Sequence, residues 1–199
     1  MILARATWRD VEALEREQTV VVIPIGGTEV QGLSAPLGAA SLLNEAVLSR
    51  LDARLGERVL ITPELAFGIA GASLSIPGTI DLGYDAFAAT LRAIVTSLAR
   101  HRFRKFLLLQ GGPGRDTFSA LQVAGRTLKD ADPRLQIAIF DDRIAIPDWH
   151  LAILASIDPT LVRIVPGSAP RLDLVEERPE GEPESLPQAD ARRARESSF

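Results

Sequence analysis

The sequence predicts a three-layer α/β/α sandwich built on a mostly parallel β-sheet. Short apolar runs rich in β-branched residues alternate along the chain with longer segments whose apolar residues recur at helical spacing. The apolar runs are nearly continuous instead of alternating with polar residues, which is typical of strands that are buried on both faces of a parallel sheet.

Four strands and five helices are predicted in alternation. The predicted strands are 19–25, 58–62, 105–109 and 135–140, and the predicted helices are 8–17, 41–55, 85–100, 116–129 and 149–156. Ser41 is expected to cap the second helix and Gly56 to end it. Asp116 suits the N-terminus of the fourth helix, where a carboxylate is stabilised by the helix dipole.

Polar side chains follow the apolar strands where those strands end. Thr28, Glu29 and Gln31 come after the first strand, and Gln110 with Gly111 ends the third. The carboxyl ends of parallel strands lie at one edge of a sheet, so these loops are expected to converge there. A binding site is therefore predicted at this edge.

Composition limits the classes of function. Residues 1–166 are expected to form one α/β domain, and 167–199 an acidic, proline-rich and then arginine-rich tail that is solvated or packs on a neighbouring subunit. A net charge of −4 gives no electrostatic reason to expect nucleic acid binding. No apolar run reaches the roughly 20 residues that span a membrane. With no cysteine and no basic-then-apolar leader, a cytoplasmic location is expected.

The segment 24–41 resembles the creatininase family of creatinine amidohydrolases and related formamide and lactam hydrolases. The family wording P-x-G-S-T-E-Q-H-G-P-H-L-P-L-x-T-D-T fits this segment without a gap. Segments 67–79, 99–111 and 148–150 resemble further family motifs in the same order. The resemblance implies a creatininase-like α/β fold. It also implies a ring-like homo-oligomer, often a hexamer in the family, or a hetero-oligomer with an active relative.

The resemblance also implies that the family's metal site is lost. Of the family's ligand positions, Glu29 keeps its carboxylate, but Gln31, Ala40 and Gly112 stand where histidine, aspartate and histidine are usual. Alanine and glycine have no metal-binding side chain, and ligand number and geometry determine metal affinity. We therefore expect no metal, no cofactor and no metal-dependent hydrolysis.

Two hypotheses of function follow. The first is a pseudoenzyme, a non-catalytic structural or binding partner on the family scaffold. The alternative is a repurposed, metal-independent enzyme that acts on a small amide, lactam or related metabolite, with Glu29, Gln31 and His150 as its catalytic residues. Each of the three also has a structural interpretation: a loop carboxylate bonded to backbone amides, an amide that fills the old ligand position, and a packed or surface histidine.

The remaining candidates would bind a small-molecule ligand. They are Thr28, Gln110, Gly111, Gly112, Arg115 and Trp149. The glycine-rich run 111–114 before a helix could cradle an anion, with Arg115 adding charge, although it lacks the spacing of a phosphate-binding loop. Trp149 could wall the pocket or fill the core. A further hypothesis is that the acidic tail plugs the site of its own or a neighbouring subunit.

Overall fold

The structure is a computed structural model, and it describes residues 1–112, 115–140 and 149–163. Within these residues the sheet has four strands, all parallel, in the order β2-β1-β3-β4. The strands are β1 (Val20–Ile25), β2 (Val59–Ile61), β3 (Lys105–Gln110) and β4 (Gln136–Phe140). The predicted α/β class with a parallel sheet is confirmed.

In the described part of the chain, five α-helices accompany the strands. They are α1 (Trp8–Glu12), α2 (Ala39–Leu55), α3 (Gly83–Arg100), α4 (Arg115–Ala131) and α5 (Trp149–Ile157). Short 3-10 turns lie at Leu3–Arg5, Gly56–Arg58, Gly71–Ser73 and Pro159–Leu161. Every strand and helix expected from the sequence is present, with shifts of one or two residues at most ends.

Two helix ends differ from the prediction. α1 begins with a capping box between Thr7 and Asp10 but ends at Glu12, five residues before the expected end. α2 begins at Ala39, and its N-cap is Gly38 without a side-chain hydrogen bond, so the expectation that Ser41 caps this helix is wrong. The amide of Ala39 donates to Pro36 O at 3.0 Å, so a backbone turn already starts the helix before Ser41 is reached.

The two faces of the sheet are covered by different helices. Val21 and Ile23 of β1 point into the main core, where they meet residues of α3 and α4. Val22, between them, points to the opposite face and packs with Ile61 and Leu48 under α2. Successive strand residues face opposite sides, so the side chains of β1 pack alternately against the two helical layers.

The sheet edges are not equivalent. β2 is flanked by the N-terminal segment through a bridge between Ile2 and Ile61. On β4, Ile137 and Ile139 are half-buried on the side where Gly125 of α4 packs, while Phe140 is exposed. The sequence predicts that helices cover both faces of every strand. Within the described residues this is true of β1, but one face of β4 is exposed. In the same part of the chain, no helix is both long enough and apolar enough to cross a membrane.

Candidate functional site

The candidate site lies at the carboxyl edge of β1 and β3, the central strands. These strands stay paired to their last residues, Ile25 opposite Gln110, and Gly111 N donates to Ile25 O at 3.0 Å. Gly27 and Gly112 each follow these paired strand ends by two residues. These two glycines form the floor of the site.

Asn44 of α2 ties the strand ends together. Its side-chain amide donates to Ile25 O at 3.1 Å and to Glu64 Oε1 at 2.7 Å, and the residue is only 2% exposed. A Cβ on Gly111 would lie 2.6 Å from Asn44 Oδ1 and would also collide with Ala40 O. The close approach of α2 to the end of β3 therefore requires glycine at position 111.

Polar side chains of Ser41 and Glu64 lie close to Gly26. A Cβ there would lie 2.8 Å from Glu64 Oε1 and would collide with the Ser41 hydroxyl. The sequence analysis did not identify Asn44 and Glu64 as site residues. The available signal was an asparagine on the apolar side of α2, beside Leu43, where an unpaired polar group would be costly.

Three positions at which the resemblance implies family ligands, 31, 40 and 112, come together in the structure. A Cβ built on Gly112 would lie 3.0 Å from Gln31 Nε2 and 3.2 Å from Ala40 Cβ. Gln31 is 9% exposed, and its Oε1 atom is buried without a hydrogen-bond donor among the described residues. The space is thus occupied by an amide and a methyl group.

Glu29 lies beside this cluster. Its Oε1 atom would be 3.3 Å from a Cβ on Gly27, so the carboxylate folds back over the end of β1 while the Gln31 amide covers the end of β3. Burial raises the pKa of Glu29, and the neighbouring carboxylates of Asp116 and Asp81 raise it further. Both causes disfavour the charged form of Glu29.

Hydrogen bonds hold the 64–82 loop, which carries Asp81, against the segment that carries Glu29. Ile80 N donates to Thr28 O at 2.9 Å, which places Asp81 close to the Glu29 segment. Asp81 Oδ1 accepts from Ala70 N at 2.8 Å.

The same loop is also attached to α4. The Thr117 hydroxyl accepts from Ile69 N at 3.0 Å, which holds the preceding residue, Asp116, near the loop.

Two predicted ligand-binding side chains make internal hydrogen bonds. Thr28 Oγ1 donates to Ala66 O at 3.3 Å, and Gln110 Nε2 donates to Gly112 O at 2.9 Å. Both groups therefore support the loops of the site, and their contact with a ligand stays a prediction.

The remaining candidates are only partly described. His150 is half-buried in the first turn of α5, and this helix packs through Leu154 against Ala39 and Leu43, next to Ala40. Its approach to Glu29 and Gln31 stays a prediction. The side chains of Arg115 and Trp149 lie outside the description, as do residues 113–114 of the glycine-rich run, the Asp148 motif position and the tail.

The residues of this cluster do not fit a divalent metal centre. A zinc site takes three or four nitrogen, sulfur or oxygen ligands. Positions 31, 40 and 112 offer one amide side chain and neither an imidazole nor a carboxylate. Nowhere in the described parts of the chain do three or more His, Cys, Asp or Glu residues form a group that could hold a metal ion.

Comparisons with known proteins agree on one family. The family model described as creatinine amidohydrolase matches residues 4–167. A creatinine amidohydrolase of Pseudomonas putida is 29% identical over 117 residues, which make up 56% of this chain and 44% of that protein. The aligned region therefore spans less than half of the length of this relative.

Solved structures share the fold. A protein of Bacteroides fragilis described as a creatinine amidohydrolase matches all of this chain and 79% of its own, with 22% identity and a TM-score of 0.67. A mutant creatininase complexed with creatine matches 81% of this chain and 74% of its own, with 22% identity and a TM-score of 0.65.

Proposed function

Because the chain belongs to the creatininase family, we propose that it keeps the family scaffold without metal-dependent amide hydrolysis and serves as a structural or binding partner in an oligomer. The proposal assigns the carboxyl edge of the sheet to ligand or partner recognition. It assigns no bond-breaking step to that edge.

The main support is the contact between Gln31, Ala40 and Gly112. The side chains that would bind and activate water through a metal are replaced by groups that pack against each other. A metal in such a site would supply a polarised carbonyl and a water acidified to near neutral pH. We propose that these residues bind no metal ion for that chemistry. The polar side chains left at the floor of the site are then the carboxylate of Glu29 and the amide of Gln31.

The oligomer is proposed from family membership and from the exposed surface of the sheet. Among the described residues β4 is an edge strand, and Phe140 at its end is 47% exposed. An edge strand offers unpaired backbone groups, and an exposed aromatic side chain adds apolar area. The partner is a second copy of this chain or an active relative with the same fold.

Elemental analysis of protein purified without chelators, combined with light scattering, tests the proposal. Less than about a tenth of a metal ion per subunit in a discrete oligomer is the expected result, because a site without its ligands loses affinity. Near-stoichiometric zinc or manganese would overturn the loss of the metal site. A monomer at all concentrations would overturn the oligomer.

A restored donor set provides a matched comparison. The variant Gln31→His, Ala40→Asp and Gly112→His reinstates the residue types of the family pattern, and Gln31→His removes the amide that a side chain at 112 would meet. We expect this variant to bind zinc by isothermal titration when the unchanged protein does not. Control variants are Gln31→Asn and Ala40→Ser, which supply no imidazole or carboxylate.

The environment of Glu29 favours the second hypothesis, a metal-independent enzyme. A partly buried carboxylate with a raised pKa can serve as a general acid or base. Turnover of creatinine or of small lactams and amides in the presence of EDTA, lost in Glu29→Gln, would support it. If none of these compounds is turned over at high protein concentration, the non-catalytic role is favoured.

A further inference from the structure

The N-terminus of α2 has no side-chain cap. Gly38 is its N-cap, and the first helical hydrogen bond runs from Leu42 N to Gly38 O at 3.1 Å. Among the described residues, no acceptor bonds the amides of Ala40 and Ser41 in the first turn. Free amides at the positive end of a helix dipole favour an acceptor atom. A Cβ on Gly38 would meet nothing within 4 Å, so there is space beside this end of the helix.

A buried acceptor without a donor lies at the same turn. The position of a Cβ on Gly112 is 3.2 Å from Ala40 Cβ, 3.0 Å from Gln31 Nε2 and 3.5 Å from Gln31 Oε1. Gln31 is 9% exposed, and its Oε1 atom is buried with no hydrogen-bond donor among the described residues. Because a buried carbonyl oxygen is costly to leave unpaired, this atom favours a ligand that donates a hydrogen bond.

A second pair of polar groups lies on the next residue of the turn. The hydroxyl of Ser41 and the Oε1 atom of Glu64 both approach the position of a Cβ on Gly26. Ser41 is half-buried, and its hydroxyl makes no hydrogen bond among the described residues. Glu64 is held in place by the side-chain amide of Asn44 at 2.7 Å. The first turn of α2 therefore offers unpaired donors next to unpaired acceptors.

This arrangement disfavours ionic ligand groups. A carboxylate or phosphate could accept from the helix amides, but it cannot donate to Gln31 Oε1, and the carboxylate of Glu64 would repel it. An ammonium group could donate to Gln31 Oε1, but it cannot accept from the amides and would face the positive end of the helix dipole. A hydroxyl group carries a donor and an acceptor on one oxygen and has no charge. It can bond both groups without either penalty.

We propose that the first turn of α2, together with Gln31, binds a hydroxyl group of an uncharged alcohol or polyol. The hydroxyl oxygen accepts from the amide of Ala40 or Ser41, and its proton is donated to Gln31 Oε1. A hydroxyl on the neighbouring carbon bonds the side chains of Ser41 and Glu64, so a vicinal diol fits better than a single hydroxyl. This inference rests on the proposed role of the carboxyl edge in ligand recognition and gives that ligand a chemical class.

Four matched probes test the proposal on protein kept in EDTA. Propylene glycol carries two neighbouring hydroxyl groups, and lactate, lactamide and isopropanolamine replace one of them by a carboxylate, a carboxamide or an ammonium group. Saturation-transfer NMR titrations measure the dissociation constant of each probe. We expect propylene glycol to bind saturably and at least about tenfold more tightly than lactate and isopropanolamine, because each ion leaves one buried polar group unpaired.

Two variants locate the binding on the protein. Gln31→Leu removes the buried acceptor, so its affinity for propylene glycol should fall at least about tenfold. Ser41→Ala removes a partner of the second hydroxyl, so propylene glycol should then bind no more tightly than isopropanol. Ser49→Ala, on the exposed side of the same helix, is the matched control and should leave the affinity unchanged. Denaturation midpoints check that each variant is folded.

Several outcomes would overturn the inference. They are no saturable binding of propylene glycol, an equal affinity for lactate or isopropanolamine, and an unchanged affinity in folded Gln31→Leu. Tighter binding of lactamide than of the diol would overturn the assignment to a hydroxyl group. None of these results bears on the metal content or the oligomeric state, so failure of this inference is distinguishable from failure of the proposed function.

Discussion

Asn44 donates its side-chain amide to Glu64 at 2.7 Å and to the last carbonyl of β1 at 3.1 Å, which joins α2 to two strand-end segments. Asn44 also lies against Gly111 at the end of β3. One buried side chain thus contacts the last residue of β1 and the segments that follow β2 and β3. The geometry of the candidate floor depends on it.

Replacement of Asn44 by alanine should therefore destabilise the protein. The change leaves Ile25 O and Glu64 without this donor and opens a small cavity, so we expect a loss of about 1–3 kcal/mol in the free energy of unfolding. Urea denaturation measures it. Ser49→Ala is the control on the exposed side of the same helix, and it should change stability by less than about 0.5 kcal/mol. Equal effects of the two variants would show that the Asn44 bonds are not needed.

Two glycine-to-alanine variants should have opposite effects. At Gly111 a methyl group would meet Asn44 and the backbone oxygen of Ala40, so Gly111→Ala should cost about 1–3 kcal/mol or more. At Gly125 in α4 the nearest atom to a new Cβ is Ile137 Cγ2 at 3.5 Å, an ordinary contact. Gly125→Ala should stabilise by about 0.5–1 kcal/mol through helix propensity. Thermal unfolding compares them, and destabilisation by both would contradict the described approach of α4 to β4.

Thr117 should hold the 64–82 loop on α4. Its hydroxyl bonds to both the amide and the carbonyl of Ile69, and the residue is 2% exposed. Thr117→Val keeps the shape but removes these bonds, so we expect a loss of about 1–3 kcal/mol and faster proteolysis within the loop. Thr127→Val removes an exposed hydroxyl bond on the same helix and is the control. Unchanged proteolysis of the loop in Thr117→Val would contradict this anchoring role.

The raised pKa of Glu29 predicts a specific pH dependence. In the folded state Glu29 binds its proton more tightly than in the unfolded chain, chiefly because of burial and then because of Asp116 and Asp81. The stability that this protonation contributes is fully present below the unfolded pKa and is lost as pH rises through the folded pKa. Glu29→Gln should therefore be more stable than the unchanged protein at neutral pH, with a difference that shrinks toward pH 4.

Denaturation midpoints measured from pH 4 to 8 test this dependence. Glu45→Gln, on the exposed side of α2, is the control for the removal of one charge. A pH-independent difference between Glu29→Gln and the unchanged protein would contradict the assignment. A Glu29→Gln variant that is less stable at neutral pH would show that the charged form makes favourable contacts.

The order of strands and helices could be predicted from the sequence because local patterns carry it. The apolar run before Gly26 predicts β1, and the helical spacing of Phe87, Leu91 and Val95 predicts α3, whose buried residues are those three. The start of α2 could not be located in this way. The backbone turn at Pro36 and Ala39 starts that helix, so Ser41 is not its cap.

The site could be predicted in part. Glu29 and Gln31 follow β1, and parallel pairing brings the end of β3 beside them, as topology requires. The sequence analysis did not identify Asn44 and Glu64 as site residues. Asn44 lies in a helix and Glu64 in the loop after β2, and no local sequence pattern relates them. Their pairing depends on how closely α2 approaches the sheet, which the glycine at 111 permits.

The sequence by itself determined the order of strands and helices and the family. It also determined that positions 31, 40 and 112 carry neither an imidazole nor a carboxylate. Periodicity and side-chain type are local properties, so both can be read without the structure. Only the tertiary structure decided that Gln31 lies beside Ala40 and Gly112, and that the charges of Asp116 and Asp81 raise the pKa of Glu29. These contacts join residues far apart in the chain. They follow from the burial of helices against both faces of the sheet, which no local pattern specifies.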